Sequence, residues 1–597
     1  MPDRIQEEDL IYQVNSFALG MVASSAHITS PLNSLRWAEG CLIDDGGAIV
    51  RRHGFNSELG TLSTAVTSNH RAVTSMTAAG EGAQKKLYLT VHEPSSSSLD
   101  IYAWDGSSWL TDASGDHLAG APASGSVTTH QATWVRESDG DEFIYFANPY
   151  GSLVKAPIGG VGVNPTGVVV SSATNTNPPG NCRLILSFRD RIWMAGVDGT
   201  DRDVLYYSNL LEPETWDQAG KRIAVGAMGG ERITAIHPFI DNLLFIGTEN
   251  SIYLLAVGSS TQLLDWDLRT VTNSIGVGAS MSVVSGGGDV FFVDSCGEVR
   301  SLRKTISDVT VGGDLEPLSA PITEQARFVS LSSSTTGVQA SVAYFFDGHL
   351  WVWGSEGAYN SGKQVGWAYN AKRGLWTGPH YLKKDAYTSA SDPLGGTVGI
   401  ADREDPENLT GSFDFDPITV ATVTHNDFGT SNGAWVTGQS PTVVIASHGT
   451  KTNNAIDSAW DDQRVLVYDI NPSDESREDY DSTGVALDFK THLLDFGVPD
   501  RKKYVKWVEV EWGSELVTAA MDEQKFRILG RTDPDGLWTP LSDVTDTSNL
   551  GRTKVNTRIL GLSRLFQFRV ARQDTTDQSL RIHSMRVSFE VQEVEDV

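Results

Sequence analysis

Strand-turn-strand repetition is the feature of this sequence that most restricts its fold. Between residues 205 and 302, short apolar runs alternate with Asp, Asn or Gly turns in three stretches, 205–217, 233–255 and 283–297. Runs rich in Val, Ile, Phe and Tyr that are separated by such turns are typical of antiparallel hairpins. The same rhythm extends on both sides, so we predict one β architecture built by radial repetition. A β-propeller is the simplest form, because it leaves only short, protected strand edges.

The span from about residue 61 to residue 400 carries further hairpin patterns at near-regular intervals. They pair 86–91 with 99–104, 142–146 with 152–154, 184–187 with 191–194, and 342–353 with 365–369 and 374–376. A spacing of roughly 40 to 50 residues per group suits four-stranded blades. The sequence therefore predicts a propeller of about five to seven blades over residues 61–400.

The sequence patterns at the two ends of the chain differ from those of the propeller span. Residues 1–60 predict a short N-terminal arm or docking segment, and the polar region 401–485 predicts a connecting or inserted segment. In residues 486–597, strands such as 505–512 and 582–591 alternate apolar and charged positions. Such strands suit a sheet with one buried and one wet face. The predicted fold class is all-β, a β-propeller with an additional C-terminal β-sandwich-like domain.

The chain is strongly acidic. It has 46 Lys and Arg against 75 Asp and Glu, a net charge of −29. Tight nucleic-acid binding needs clustered basic residues that release counterions, so conventional DNA recognition is not expected. An acidic surface does suit a passage through which DNA slides without sticking. Solubility or a saline habitat would explain the same charge.

Neither a cofactor nor a metal site is predicted. Cys41, Cys182 and Cys296 are far apart and form no C-x-x-C or Cys/His cluster, so we interpret them as small buried residues. The first residues show no signal peptide, and no apolar run is long enough to span a membrane. We expect a soluble protein made in a reducing cytoplasm.

No catalytic motif is complete. Residues 357–364 match the spacing of a phosphate loop, but Gln364 replaces the hydroxyl residue that binds magnesium. The turns 105–109 and 535–538 approach sialidase-like Asp turns, yet the repeat is not kept. G-x-S-x-G and H-E-x-x-H motifs are absent. We predict that the chain is not an enzyme.

Two basic clusters stand out against the acidic background. One is the pair Arg51 and Arg52, and the other comprises Arg501, Lys502, Lys503 and Lys506. Each suits contact with an acidic subunit, a partner protein or passing DNA, and each is also compatible with a solvated strand end. If the first pair makes such a contact, replacing both residues with Glu weakens assembly without unfolding the propeller.

Several segments together resemble one protein family. Residues 45–55 look like an early D-G-x-x-x-R-R-P-G-F segment of that family, with His53 in place of Pro. Further similarity lies in 207–216, 249–253, 276–297, 491–497 and 564–570. The chain resembles the tail nozzle or tail-hub proteins of short-tailed bacteriophages, also called tail tubular protein B or packaged-DNA stabilisation proteins.

The resemblance implies a structural role in the virion tail after synthesis in the host cytoplasm. It implies a ring of six copies that contacts the phage adaptor, portal and tail fibre proteins. Such a ring closes a channel to retain double-stranded DNA and conducts it during ejection, without sequence specificity. Gly286, Gly287 and Gly288 form a Gly-rich turn that we regard as a candidate loop projecting into this channel.

A second interpretation belongs to another class. The 16 Trp and 16 Tyr could stack on sugars in a carbohydrate-binding or carbohydrate-cleaving propeller that acts in host receptor recognition. A baseplate or tail-fibre connector of a long-tailed phage shares the same composition. Glycan binding would favour the carbohydrate hypothesis, and a six-fold ring with a bore wide enough for a duplex would favour the nozzle hypothesis.

Overall fold

The fold is described from a computed structural model of the whole chain. The residues that the structure describes are 10–14, 16–22, 33–52, 57–58, 72–80, 86–93, 98–105, 108–111, 130–159, 162–170, 178–197, 199–217, 220–226, 230–258, 266–323, 341–346, 348–355, 364–380, 415–424, 441–449, 464–467, 478–479, 483–484, 487–514, 524–533, 536–546, 550–572 and 580–592. The phosphate-loop-like residues 357–363 and parts of both Asp turns, 106–107 and 535, lie outside them.

Strands dominate the described residues, and the first half of the chain contributes these: β1 Leu10–Val14, β2 Leu35–Glu39, β3 Cys41–Ile43, β4 Ile49–Arg51, β5 Ser57–Glu58, β6 Ala72–Ala79, β7 Lys86–Glu93, β8 Ser98–Trp104, β9 Trp109–Thr111, β10 Ala132–Arg136, β11 Glu142–Phe146, β12 Val154–Pro157, β13 Val168–Val169, β14 Leu184–Phe188, β15 Arg191–Ala195, β16 Val204–Tyr207, β17 Arg222–Ala224, β18 Ile233–Phe239, β19 Leu243–Thr248, β20 Ile252–Ala256, β21 Asp267–Thr272, β22 Val284–Gly286, β23 Asp289–Val293 and β24 Val299–Ser301.

The second half contributes β25 Val342–Phe346, β26 His349–Ser355, β27 Gln364–Asn370, β28 Leu375–His380, β29 Phe415–Thr424, β30 Pro441–Gly449, β31 Arg464–Val467, β32 Glu478–Asp479, β33 Thr483–Gly484, β34 Asp488–Thr491, β35 Lys503–Ser514, β36 Gln524–Arg531, β37 Thr539–Asp546, β38 Leu550–Asn556, β39 Leu562–Ser563, β40 Gln567–Arg572 and β41 Leu580–Val591. The α-helix α1 spans Leu302–Val311. Short 3₁₀ helices span Ser280–Ser282, Ala320–Ile322 and Arg558–Leu560.

Five four-stranded antiparallel sheets form propeller blades. Four of them take consecutive strands: blade 1 is β6–β9, blade 2 is β10–β13, blade 3 is β14–β17 and blade 4 is β18–β21. The fifth, the closing blade, combines β29, β30 and β31 with β5 from near the N-terminus. Pairing a strand from one end of the chain with strands from far along it closes the ring. The predicted all-β propeller is confirmed.

The first strands of successive sheets contact one another around a closed ring. The order is β6, β10, β14, β18, β22, β25, β29 and back to β6. The three-stranded sheet β22–β24 and the strands β25–β28 therefore lie between blade 4 and the closing blade.

Apolar clusters hold neighbouring blades together. The cluster between blades 2 and 3 includes Tyr145 and Ile185, and the cluster between blades 3 and 4 includes Trp193 and Leu244. A middle strand such as β15 is buried along its whole length, because blades cover it on both faces. This double burial explains why such strands read as continuous apolar runs in the sequence.

The chain ends build two larger sheets. The nine-stranded sheet has the order β25-β26-β27-β28-β2-β34-β40-β36-β37, so the propeller strands continue directly into terminal strands. The seven-stranded sheet centres on β41 and β35 and includes β1, β3, β4, β38 and β39. One hydrophobic cluster takes side chains from both sheets, among them Leu35, Val508 and Phe568.

The N-terminal residues, predicted as an arm, contribute β1, β3 and β4 to the seven-stranded sheet and β2 to the nine-stranded sheet. The two sheets thus join both ends of the chain. The predicted division at residues 60, 400 and 485, and a sandwich-like domain confined to 486–597, stay predictions.

The three cysteines differ in environment. Cys41 and Cys182 are buried as expected, whereas Cys296 is exposed because it lies in the turn between β23 and β24. All three thiols are free.

Candidate functional site

A polar cavity lies on the propeller axis. Its volume is about 220 Å³, and its walls come from the first strands of blades 1 to 4, from β25 and from the 3₁₀ turn before β22. The polar lining residues are Ser75, Thr77, His130, Gln131, Thr133, His237 and Ser280. Drug-sized ligand sites begin at about 300 Å³. The cavity therefore suits a small polar molecule and not a nucleic-acid duplex.

Hydroxyl groups and a histidine form a buried cluster on one wall. The Oγ1 atom of Thr90 lies 2.8 Å from Thr74 Oγ1, 2.9 Å from Ser75 Oγ and 3.2 Å from His130 Nε2. The register between β6 and β7 shifts between Val73 and Ser75, and such a shift re-aims side chains. It brings the neighbouring hydroxyls Thr74 and Ser75 to the same Thr90.

His237 faces the cavity from blade 4. Its Nε2 atom lies 2.8 Å from Ser285 Oγ on β22. Burial lowers the pKa of His237 to about 4, so its ring is neutral at pH 7. Among the described lining residues there is no carboxylate, Lys or Arg, and a pair of acids that could cleave a sugar is not found there.

The Gly-rich turn lies beside this cavity. Gly287 and Gly288 are the two turn residues between β22 and β23, with φ of +58° and +75°, as a type I′ hairpin requires. A Cβ on Gly286 would overlap the Phe345 ring of β25, so this position has no room for a side chain. Ser285, just before the turn, contacts the lining residue His237. Projection of the turn into a channel between subunits stays a prediction.

The structure corrects the expectation for Arg51 and Arg52. Their exposed fractions are 2% and 1%, so both side chains are enclosed by the chain itself and are not available to a partner. Arg51 ends β4, which pairs with β3 and β41 in the seven-stranded sheet. A sequence pattern cannot distinguish this position from a free strand end. His53, the departure from the family pattern, lies outside the described residues.

The four residues of the second basic cluster have different environments. Arg501 and Lys502 are exposed, and their role as contacts stays a prediction. Lys503 is buried, its Nζ donates to the Arg564 carbonyl at 2.6 Å, and burial lowers its pKa. Lys506 is half-buried and lies 3.3 Å from Glu590. The last two side chains therefore hold the sheet together.

Two carboxylates that the sequence did not single out meet between blades 2 and 3. The Tyr145 hydroxyl donates to Glu137 at 2.6 Å and lies 3.4 Å from Glu214. Lys155 forms an ion pair with each carboxylate, and burial together with Glu137 raises the pKa of Tyr145. Because both acids already hold a phenol and an ammonium group, this cluster is a clamp between blades. The sequence analysis missed this cluster because its residues lie far apart along the chain.

The described residues contain no group of three or more His, Cys, Asp or Glu that could hold a metal ion. No helix among them is long and apolar enough to cross a membrane.

Comparison with known proteins does not assign this chain to a family. No family model matches the sequence, and no curated protein matches it. Among solved structures, an exo-β-1,3-galactanase from Phanerochaete chrysosporium with galactose is 10% identical, with a TM-score of 0.25, over 86% of this chain and 95% of that one.

Other similar structures have different roles. The Aleuria aurantia lectin in complex with α-methyl-L-fucoside is 10% identical, with a TM-score of 0.26, over 64% of this chain and 90% of the lectin. Chaetomium thermophilum Raptor is 10% identical, with a TM-score of 0.34, over 67% of this chain and 29% of Raptor. At these scores, activity is not transferred to this chain.

Proposed function

We propose that this chain is a non-catalytic structural subunit of a bacteriophage tail, of the nozzle kind, which retains packaged DNA and conducts it during ejection. The observation that carries the proposal is the junction between the propeller and the terminal sheets. Strand β2 pairs with β28 on one side and with β34 on the other, so one sheet runs through both parts. The pairing of β2 with β28 is short, one register pair of Ala38 with Gly378, and it makes the propeller and the terminal strands parts of one hydrogen-bonded sheet.

The segment that resembles the family lies at this junction. Asp44 to Ala48 form the turn of the β3–β4 hairpin, in which the Asp44 carboxylate accepts from the Ala48 N–H at 2.9 Å. Asp45 at the tip contacts Lys372 and Arg373 in the turn between β27 and β28. The family-like residues 45–52 therefore lie where the propeller meets the terminal sheets.

The test is assembly on particles. Purified chain is mixed with phage particles that carry portal and adaptor but lack this protein, and the tails are imaged by cryo-electron microscopy. The proposal expects a closed ring of this chain below the adaptor, with a bore wide enough for a DNA duplex, and retention of packaged DNA. A chain that stays monomeric in the mixture and leaves the particles leaking DNA contradicts it.

A second function, a carbohydrate-binding propeller, is favoured by the axial cavity. Its walls offer hydroxyl, amide and imidazole groups that hydrogen-bond sugar hydroxyls, and its small volume suits one sugar unit. A glycan array followed by titration with the bound sugar tests it. Binding that is lost in His237→Ala and kept in His583→Ala supports this function, and an array without binding contradicts it. Release of reducing sugar would in addition require a catalytic pair that the described cavity lining lacks.

A further inference from the structure

Two bulky apolar residues are exposed on the propeller in a strained backbone conformation. Leu211 lies in the loop between β16 and β17 of blade 3, Ile240 lies in the turn between β18 and β19 of blade 4, and each is 57% exposed. Their φ angles are +58° and +55°, in the left-handed region that favours Gly or Asn. Local backbone energy therefore disfavours Leu and Ile here. An exposed apolar side chain kept at such a position indicates contact with a partner.

Successive blades of the propeller have the same orientation. The N–H groups of Ile185 and Ser187 on β14 donate to the side chains of Gln131 and Thr133, at 3.3 and 3.1 Å, so β14 runs in the same direction as β10. Each blade repeats the same four-stranded order, so the turns between first and second strands lie on one face. These turns are residues 137–141 in blade 2, 189–190 in blade 3 and 240–242 in blade 4.

The exposed charges on this face are mainly acidic. Leu211 belongs to the face, because its N–H donates to the Asp190 carbonyl at 2.8 Å. Arg189 is the one exposed cation in the three turns. Four exposed carboxylates of the turns form no ion pair with any described residue: Asp139, Asp141, Asp190 and Asp241. We call these four carboxylates, together with Leu211 and Ile240, the acidic face.

Three segments meet at the start of β35 in the seven-stranded sheet. Residues 501–502 directly precede this strand, and Lys503 pairs with Ser563 of β39. The Thr557 hydroxyl donates to the Val505 carbonyl at 2.8 Å, which holds the following 3₁₀ helix beside the same strand. Exposed side chains from the three segments therefore lie together.

This place is apolar and basic. Ile559 and Leu562 are 70% and 41% exposed. Four exposed cations accompany them and form no ion pair with any described residue: Arg501, Lys502, Arg558 and Arg564. Two carboxylates, Asp495 and Asp500, act on Lys503 from nearby and leave the charge of this place positive. We call the four cations, together with Ile559 and Leu562, the basic end.

We propose that the acidic face of one copy of this chain binds the basic end of a second copy. The two surfaces have opposite charges, and each presents exposed aliphatic side chains that the contact buries. Both are exposed in the single chain, so neither covers the other. Because the surfaces differ, the contact is head-to-tail, the kind that closes into a ring. This pairing rests on the proposed function, which requires copies to touch one another, and adds the surfaces that meet.

Sedimentation velocity of the purified chain at increasing concentration tests the contact. We expect association at about 50 mM salt that weakens at least about tenfold at about 500 mM, because salt screens opposite surface charges. A chain that stays monomeric at every concentration overturns the proposal. Binding of that monomer to phosphatidylglycerol vesicles would assign the basic end to a lipid surface instead.

Charge reversal tests both surfaces. Arg501→Glu with Lys502→Glu changes the basic end, and Asp141→Lys with Asp241→Lys changes the acidic face. Each variant alone is expected to associate at least about tenfold more weakly than the unchanged chain. An equimolar mixture of the two should associate again, because each variant keeps one surface unchanged, and this recovery also shows that both fold. Weaker association in only one variant, or no recovery in the mixture, overturns the pairing.

A control variant reverses charges elsewhere. Arg303→Glu with Asp314→Lys changes exposed side chains in α1 and just after it, outside both surfaces. This variant should associate as the unchanged chain does. Weakening equal to that of the other two variants would assign their effect to charge in general and overturn the proposal.

Ile240→Asn separates the contact from folding. Asn tolerates φ of +55°, so the melting temperature should not fall, whereas association should weaken about fivefold or more because the apolar side chain is lost. Leu550→Asn on β38, 65% exposed and outside both surfaces, is the matched control and should associate normally. Normal association in Ile240→Asn contradicts the proposal.

Particle assembly separates this pairing from the proposed function. A ring that forms on the particles equally well with the unchanged chain and with both charge-reversed variants overturns the pairing and leaves the nozzle proposal standing. Association in solution that both variants lose, by a chain that never joins the particles, overturns the nozzle proposal and supports the pairing.

Discussion

The Nζ atom of Lys372 lies 2.7 Å from the Asp45 carboxylate. This ion pair joins the turn between β27 and β28 of the propeller to the β3–β4 hairpin of the seven-stranded sheet, and it lowers the pKa of Asp45. Both side chains are more than two-thirds exposed, and exposed pairs add little stability. The junction must therefore be held by its sheet and its core.

Leu375 should contribute far more than Lys372. It lies on β28 of the propeller, is 3% exposed, and belongs to the core between the two terminal sheets. We expect Leu375→Ala to lower the free energy of unfolding by about 2 to 4 kcal/mol, because it leaves a cavity in this core. Lys372→Met should leave the urea midpoint unchanged. Equal effects of the two substitutions would show that the core does not hold the junction.

Gly286 should not tolerate a side chain. A Cβ there would overlap the Phe345 ring, so Gly286→Ala should destabilise the chain by about 1 to 3 kcal/mol. Gly313→Ala is the control, since its Cβ meets its nearest neighbour at an ordinary 3.6 Å. Thermal unfolding checks both variants. A partial recovery in Gly286→Ala with Phe345→Leu would assign the loss to the ring, and a melting temperature that does not change in Gly286→Ala contradicts the prediction.

The two basic clusters should respond differently to charge reversal. Arg51→Glu with Arg52→Glu places carboxylates at positions 2% and 1% exposed, and we now expect this variant to unfold or express poorly. Arg501→Glu with Lys502→Glu changes exposed side chains only, so it should fold normally and test a contact on the tail particle. Circular dichroism and particle binding are measured for both. A fully folded Arg51/Arg52 variant argues against the buried placement.

His237 should make the chain sensitive to acid. Its pKa is about 4 in the folded protein against 6.5 in an exposed histidine. Between these values the unfolded chain binds the proton and the folded chain does not, so stability should fall as the pH drops from about 6.5 towards 4. The loss from this one group should be of the order of 2 kcal/mol. His237→Gln should remove it.

Urea unfolding at about pH 7 and pH 4.5 measures this effect. The control is His583→Gln on β41, outside the propeller, which should keep the acid sensitivity of the unchanged chain. An identical pH dependence in His237→Gln and in the unchanged chain would mean that another group is responsible.

Much of the fold could be predicted from local sequence patterns. Alternating apolar residues and Gly or Asp turns place hairpins such as β22–β23 correctly, because side-chain period and turn geometry act over a few residues. The Gly286 to Gly288 turn was found in this way. The burial of Arg51, Arg52 and Lys503 could not be predicted. A strand end has the same sequence pattern whether or not another strand covers it.

The sequence by itself determined that this chain forms short antiparallel strands arranged as a propeller, because hydrophobic period and turn residues are local properties. Tertiary structure alone decided that β5 closes the ring, that β2 joins the propeller to the terminal sheets, and that Arg191 meets Trp266 of the next blade. These contacts join residues that are far apart in the chain. Their partners are chosen by which apolar faces can be buried together, and no local pattern records that choice.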